Sequence, residues 1–227
     1  MPDFLDSDGI WAQVLGPAAV AAGPPRPALF LDRDGVIVEE VGFLHRPEDV
    51  RLIPGAAAAI AAANRTGVPV VVLTNQSGIG RGLYGWAAFA ATQDRIVAEL
   101  AGAGAALDMV LACPFHPDGA PPYRHPDHPC RKPRPGMLVR AGERLGLDLA
   151  ASWIVGDRAA DLEAGRAAGL AGGLHVLTGH GAAERPSVRA LRVDRFEVRL
   201  GESIAAALED LLPRLRPAAP PRAGETR

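Results

Sequence analysis

The chain has 227 residues, of which 48% are hydrophobic and 22% charged, and its formal net charge is -2 at pH 7. That is enough apolar material to bury the core of one α/β domain, which excludes general disorder. The absence of a basic excess excludes a nucleic-acid-binding surface as the main function, and two cysteines, Cys113 and Cys130, are too few for a disulfide scaffold.

Residues 1–25 read as an N-terminal extension, with Trp11 a candidate anchor, because Gly23-Pro24-Pro25-Arg26-Pro27 makes a stiff break. Asp6-Ser7-Asp8-Gly9 follows no apolar strand and is predicted to be a simple turn. The acidic start does not resemble a signal peptide, and charges or prolines interrupt every apolar run. A cytoplasmic monomer is expected, with no membrane and no nucleic-acid partner.

The main domain is placed at residues 26–215. Short apolar runs at 28–31, 70–73, 109–112 and 153–155 predict buried parallel strands, and 173–177 predicts a fifth. Helices are predicted over 55–65, 86–101, 136–145 and 158–168, with Gly67, Gly146 and Gly169 as C-terminal stops. Trp86, Phe89 and Ile96 mark the core face of the second helix. Alternating strand and helix imply a doubly wound parallel sheet with a Rossmann-like order. The stretch 113–135, rich in proline and histidine, is predicted to be a functional loop insertion. The tail 216–227 is predicted to be disordered.

Three strands end in particular polar residues: Asp32-Arg33-Asp34-Gly35, Thr74-Asn75-Gln76-Ser77-Gly78, and Gly156-Asp157 with Asp161 one helical turn later. In an open parallel sheet, ligands bind beyond the carboxyl ends of the strands, so these segments are expected to meet in one crevice. There Asp32 and Asp157 can hold a hard cation such as Mg²⁺. Thr74 and the backbone amides after it can bind phosphate oxygens. Lys132 supplies a fixed positive charge. Phosphoryl transfer needs such positioning and charge neutralisation, and an aspartate can serve as the nucleophile. Asp34 can then act as acid and base. For Asp161, helix N-terminal support competes with a role toward the metal or Lys132.

Leu31-Asp32-Arg33-Asp34-Gly35, Leu73-Thr74-Asn75-Gln76-Ser77-Gly78, Cys130-Arg131-Lys132-Pro133 and Val155-Gly156-Asp157-Arg158 resemble the four ordered motifs of the haloacid dehalogenase (HAD) superfamily. More narrowly, the chain is similar to the group of heptose-bisphosphate and histidinol-phosphate phosphatases. The resemblance implies a Mg²⁺-dependent phosphatase without a large cap domain, acting on a small phosphorylated substrate such as a sugar phosphate. It implies Asp32 as nucleophile and metal ligand, Asp34 as acid/base and as a metal ligand through its backbone carbonyl, and Asp157 as the third ligand. It implies that Thr74 and Lys132 hold the transferring phosphoryl group and that Arg131 recognises substrate, including a second phosphate. Asn75, Gln76, Ser77, Glu40, Val41, Gly42 and Phe43 would line the substrate site.

The group also often carries a structural zinc, in a Cys-x-His and Cys-x-Cys pattern before the Arg-Lys motif. Here Phe115 stands where the first histidine is expected, and His128 replaces a cysteine. Cys113, His116, His128 and Cys130 remain a candidate Cys₂His₂ zinc set, with His125 a spare ligand. Glu40-Val41-Gly42-Phe43 departs from the group's acidic-His-Gly-Tyr pattern. A heptose bisphosphate is the substrate expected from the resemblance, and its rivals are histidinol phosphate and other sugar phosphates. A rival of another class is a signalling receiver phosphorylated on aspartate, against which Asp34 argues, because a built-in acid/base shortens the life of the phosphoryl mark.

Overall fold

A computed structural model describes residues 4–16, 24–191 and 195–215. Its seven strands are β1 (Trp11–Val14), β2 (Leu29–Leu31), β3 (Val70–Asn75), β4 (Met109–Cys113), β5 (Trp153–Gly156), β6 (Gly172–His175) and β7 (Glu197–Leu200). Its helices are α1 (Ala56–Arg65), α2 (Ser77–Gly80), α3 (Trp86–Gly102), α4 (Gly136–Leu145), α5 (Ala159–Ala167), α6 (Gly181–Ala190) and α7 (Ile204–Leu211).

The strands form one sheet in the order β1-β4-β3-β2-β5-β6-β7, parallel throughout except for β1. β2, β4 and β5 are buried along their whole length. That is why they read as continuous apolar runs without alternation: helices cover both faces of a parallel sheet. The period of two reappears in how the side chains divide. Leu29, Leu31, Val70, Val72 and Val155 join the core under α1, α3 and α7. Phe30, Val71, Leu73, Leu111 and Ile154 join the core under α4, α5 and α6.

The predicted elements are present, with ends shifted by one or two residues. Gly67, Gly146 and Gly169 all have positive φ just past their helices, as helix stops require. Phe89 and Ile96 are fully buried in α3. The predicted fifth strand is Gly172–His175 rather than 173–177, because Leu177 has left the sheet and is exposed.

Five of these elements, β1, α2, α6, β7 and α7, escaped the sequence reading. β1 pairs antiparallel with the outer edge of β4, in register Trp11 with Ala112. Trp11 stacks on Trp86 at 5.6 Å and meets Phe89 edge-on at 5.2 Å. The turn before β1 forms as expected, with Asp6 Oδ1 accepting the backbone N–H groups of Asp8 and Ile10. α6, β7 and α7 lie in the polar C-terminal third. β7 is half-exposed at the sheet edge, so it lacks the apolar signal of the central strands. The predicted disordered tail, 216–227, lies outside the described residues. No described helix is long and apolar enough to cross a membrane.

Candidate active site

β3 and β4 lie on one side of β2, and β5, β6 and β7 on the other. A crevice opens beyond the strand ends at such a reversal. Asp32 follows β2, Thr74 and Asn75 finish β3, and Asp157 follows β5. The Asp32 backbone N–H donates to the Val155 carbonyl at 2.9 Å, fixing Asp32 beside the end of β5. Gly35 allows the chain to turn away: its φ is +83°, and a Cβ there would collide with Asp157.

Lys132 enters this crevice from the loop before α4. Asn75 clamps its backbone, donating Nδ2–H to the Lys132 carbonyl at 3.0 Å and accepting the Lys132 N–H at 3.1 Å. The buried ammonium donates to Asp32 Oδ1 at 2.8 Å and to the Leu73 carbonyl at 2.8 Å, and pairs with Asp161 Oδ1 at 2.6 Å. Burial opposes the Lys132 charge, but Asp161 and Asp32 outweigh it and raise its pKa. Asp161 accepts the Arg158 backbone N–H on its other oxygen at 3.1 Å, so both its oxygens are engaged. It caps α5 and supports Lys132 together.

Oxygens of Asp32, Asp157 and Asp161 all lie within 4.8 Å of one another. Two of these carboxylates, Asp32 and Asp161, pair with the Lys132 ammonium. Asp157 is fully buried; its Oδ2 accepts the His180 backbone N–H at 2.7 Å, and its Oδ1 has no partner among the described residues. Burial first, then Asp32 and Asp161, push Asp157 up to about 8, and burial raises Asp161 to about 6 despite Lys132. An orphaned buried carboxylate oxygen inside an all-oxygen, electron-rich cluster fits a hard divalent cation such as Mg²⁺.

Asp34 sits at the cavity wall. Arg33 donates to it through Nε, at 3.1 and 3.2 Å to its two oxygens, and through Nη2 at 3.0 Å. Gln76 Nε2 donates to Asp34 Oδ2 at 3.2 Å and to Thr74 Oγ1 at 2.7 Å, and Tyr84 donates its hydroxyl to Gln76 Oε1. His45 stacks on Tyr84, with ring centroids 4.9 Å apart. The Thr74 hydroxyl accepts from Gln76 and keeps its own proton for a ligand.

The crevice is a cavity of about 530 Å³, lined by Asp32, Asp34, Thr74, Ser77, Arg131 and Lys132, with Glu40, Gly42 and Phe43 along its outer wall. Asn75 and Gln76 also border it, but their amide groups are engaged with Lys132, Thr74, Asp34 and Tyr84. Asn75 acts on a peptide 57 residues away, which no local pattern announces.

Val41 does not line the cavity. Glu40 Oε1 accepts the Gly42 N–H at 2.6 Å, and this tight turn leaves Val41 at its tip, 52% exposed. Asp157 lies beneath the floor and not on the wall. Sequence reasoning missed Arg81, Tyr84, Arg158 and His180 as lining residues. His180 Nε2 lies 3.4 Å from Glu40 Oε2 across the mouth. Burial and Asp34 raise the Glu40 pKa.

The candidate zinc set does not assemble. Among the described residues, the one group of three or more metal-ligating side chains is the aspartate cluster. Phe115, where the pattern expects histidine, stacks on His128 at 3.8 Å, and His128 Nδ1 accepts the Cys130 backbone N–H at 3.1 Å. His116 turns to the cavity, with Nε2 3.0 Å from Arg81 Nη2. Cys113 and Cys130 are buried thiols, and burial pushes Cys113 up to about 12. An aromatic ring and a one-residue shift of the histidine have replaced the geometry that zinc requires.

The family model for HAD-hydrolase-like proteins matches residues 129–195. The D-glycero-β-D-manno-heptose-1,7-bisphosphate 7-phosphatase of Mesorhizobium japonicum is 49% identical over 205 residues, covering 90% of this chain and 92% of that protein. A HAD-like protein of Mesorhizobium loti superposes with a TM-score of 0.83 at 45% identity, covering 94% of this chain and 96% of that one. The D,D-heptose 1,7-bisphosphate phosphatase of B. bronchiseptica, solved with magnesium and phosphate, gives a TM-score of 0.72 at 34% identity, covering 82% and 98%. With its motifs gathered at one end of the sheet and relatives this similar over nearly their whole length, the chain belongs to the HAD phosphatases, a family of phosphoric monoester hydrolases.

Proposed function

We propose that this chain hydrolyses D-glycero-D-manno-heptose 1,7-bisphosphate at its 7-phosphate, through a phosphorylated Asp32. The observation that carries the reading is the Lys132 ammonium bonded to Asp32 Oδ1, with the Thr74 hydroxyl and Asp34 facing the same cavity. Likeness to the heptose-bisphosphate phosphatases supports the substrate. A cavity of about 530 Å³ suits a phosphorylated sugar.

Lys132 holds Oδ1 of Asp32, and Oδ2 makes no hydrogen bond among the described residues. An Asp32 oxygen attacks phosphorus as the bond to the sugar oxygen breaks, and Asp34 gives that oxygen a proton. Asp34 then takes a proton from water, which attacks the phosphoaspartate and releases phosphate. Lys132 and Thr74 hold the phosphoryl oxygens throughout. Arg131 and Arg81, across the cavity, suit the second phosphate. Asp32, Asp157 and the Asp34 backbone carbonyl would hold Mg²⁺, which when bound neutralises charge on the transferring phosphoryl group.

The test is phosphate release from sugar bisphosphates, sugar monophosphates and histidinol phosphate. The heptose bisphosphate is expected to have the highest kcat/KM, and a strong preference for histidinol phosphate overturns the substrate assignment.

The cluster also sets a linkage. Asp157 has its folded-state pKa raised from 3.8 to about 8, so the metal-free protein loses stability as pH rises through that window. Binding of Mg²⁺ requires the ionised carboxylate. Titration calorimetry at pH 7 in two buffers of different ionisation enthalpy is expected to show release of about one proton per Mg²⁺ bound. Equal apparent enthalpies in both buffers would contradict this.

A further inference from the structure

Arg33 lies between the two catalytic aspartates, yet its side chain points into the protein and is 1% exposed. Its guanidinium lies over the Phe89 ring, 5.4 Å from the centroid. Nη2 is anchored on the Leu44 carbonyl at 3.3 Å, and Nη1 has no partner among the described residues. The carboxylate it pairs with among the described residues is Asp34. Burying a guanidinium is costly, and one with an unpartnered nitrogen is costlier. An apolar chain of similar length would fill the space beside Phe89 without that cost. The specific contribution of the guanidinium is therefore to Asp34. Gly35 gives the backbone a sharp turn there, so the position of the Asp34 carboxylate depends on side-chain contacts. Arg33 grips both oxygens from one side and Gln76 touches Oδ2 from the other.

We propose that Arg33 is a positioning residue that clamps Asp34 for proton transfer to the leaving oxygen. This rests on the acid/base reading of Asp34. As the phosphorus–oxygen bond breaks, the proton on the Asp34 carboxyl moves to the departing sugar oxygen, and the planar fork of Arg33 holds the carboxyl in line with it.

The test compares two substrates with different needs for that proton. A sugar phosphate leaves as an alkoxide and requires protonation; p-nitrophenyl phosphate leaves as a stable phenolate and does not. Arg33→Met is expected to lower kcat/KM by about 10²-fold on the sugar phosphate and by less than about 10-fold on p-nitrophenyl phosphate. Asp34→Asn is expected to show the same bias, and Arg33→Met added to Asp34→Asn is expected to cost nothing more. Arg33→Lys keeps the charge without the fork and is expected to fall between wild type and Arg33→Met. It decides the matter if Arg33→Met does not fold. Equal losses on both substrates in the Arg33 variants, with the bias present in Asp34→Asn, overturn the clamp. Equal losses in Asp34→Asn itself overturn the acid/base reading instead.

Discussion

Replacing Asp32 by asparagine is expected to lower turnover by about 10⁴-fold or more while leaving the fold intact. The side chain keeps its volume but loses the charge on which the proposed attack on phosphorus depends, and a neutral amide oxygen is a poor nucleophile. The stability effect has the opposite sign. Asp32 is one of three clustered carboxylates, of which it and Asp161 pair with the Lys132 ammonium. Removing its charge lowers the repulsion on Asp157 and Asp161, both of which it pushes upward. Lys132 still keeps Asp161 as a partner. In the absence of metal at pH 8, the variant is therefore expected to melt at the same temperature as wild type or higher, and to bind Mg²⁺ more weakly. Phosphate release and thermal melting with and without Mg²⁺ check both halves. Wild-type turnover in this variant would remove Asp32 as the nucleophile.

Replacing Lys132 by methionine is expected to damage both activity and stability. Methionine fills much of the space but leaves Asp32 and Asp161 buried without their cation. Breaking a buried ion pair from one side costs about 3–5 kcal/mol. Loss of a fixed charge on the transferring phosphoryl group costs about 10²–10³-fold in kcat. The pH dependence follows from Asp161. Lys132 is the main group that lowers its pKa against burial. Without Lys132 that pKa climbs further, so stability tied to the protonated carboxyl is lost as pH rises through a higher value. The stability gap to wild type is expected to be small near pH 4 and wide near pH 8, where urea denaturation reads it. A gap independent of pH would mean that Lys132 acts by packing alone.

The division of labour in this site explains what was legible beforehand. The apolar runs at 28–31, 70–73, 109–112 and 153–155 announced the central strands, because burial on both faces demands continuous apolar residues. Their polar ends announced Asp32, Thr74 and Asp157, because only chemistry or a turn places such residues directly after a buried strand. β1 and β7 gave no such signal. Both are four-residue edge strands: β1 is too short to stand out from the extension around it, and β7 is polar and half-exposed. Trp11 was visible as an anchor, but its partner strand, 101 residues on, was not.

The sequence by itself determined the five central strands, the four helices α1, α3, α4 and α5, and the identity of the groups with the chemistry to attack, protonate and neutralise. Those properties follow from local periodicity and from side-chain chemistry, which a linear pattern carries. Only the tertiary structure decided what each group does to its neighbours. It turned Asn75 and Gln76 into supports, gave Asp161 to Lys132, aimed Arg33 at Asp34, sent Val41 to solvent and stacked Phe115 on His128 in place of a metal site. These outcomes depend on distances of a few ångströms between residues far apart in the chain. Hydrogen bonding and charge interaction change steeply over such distances, and sequence spacing does not encode them.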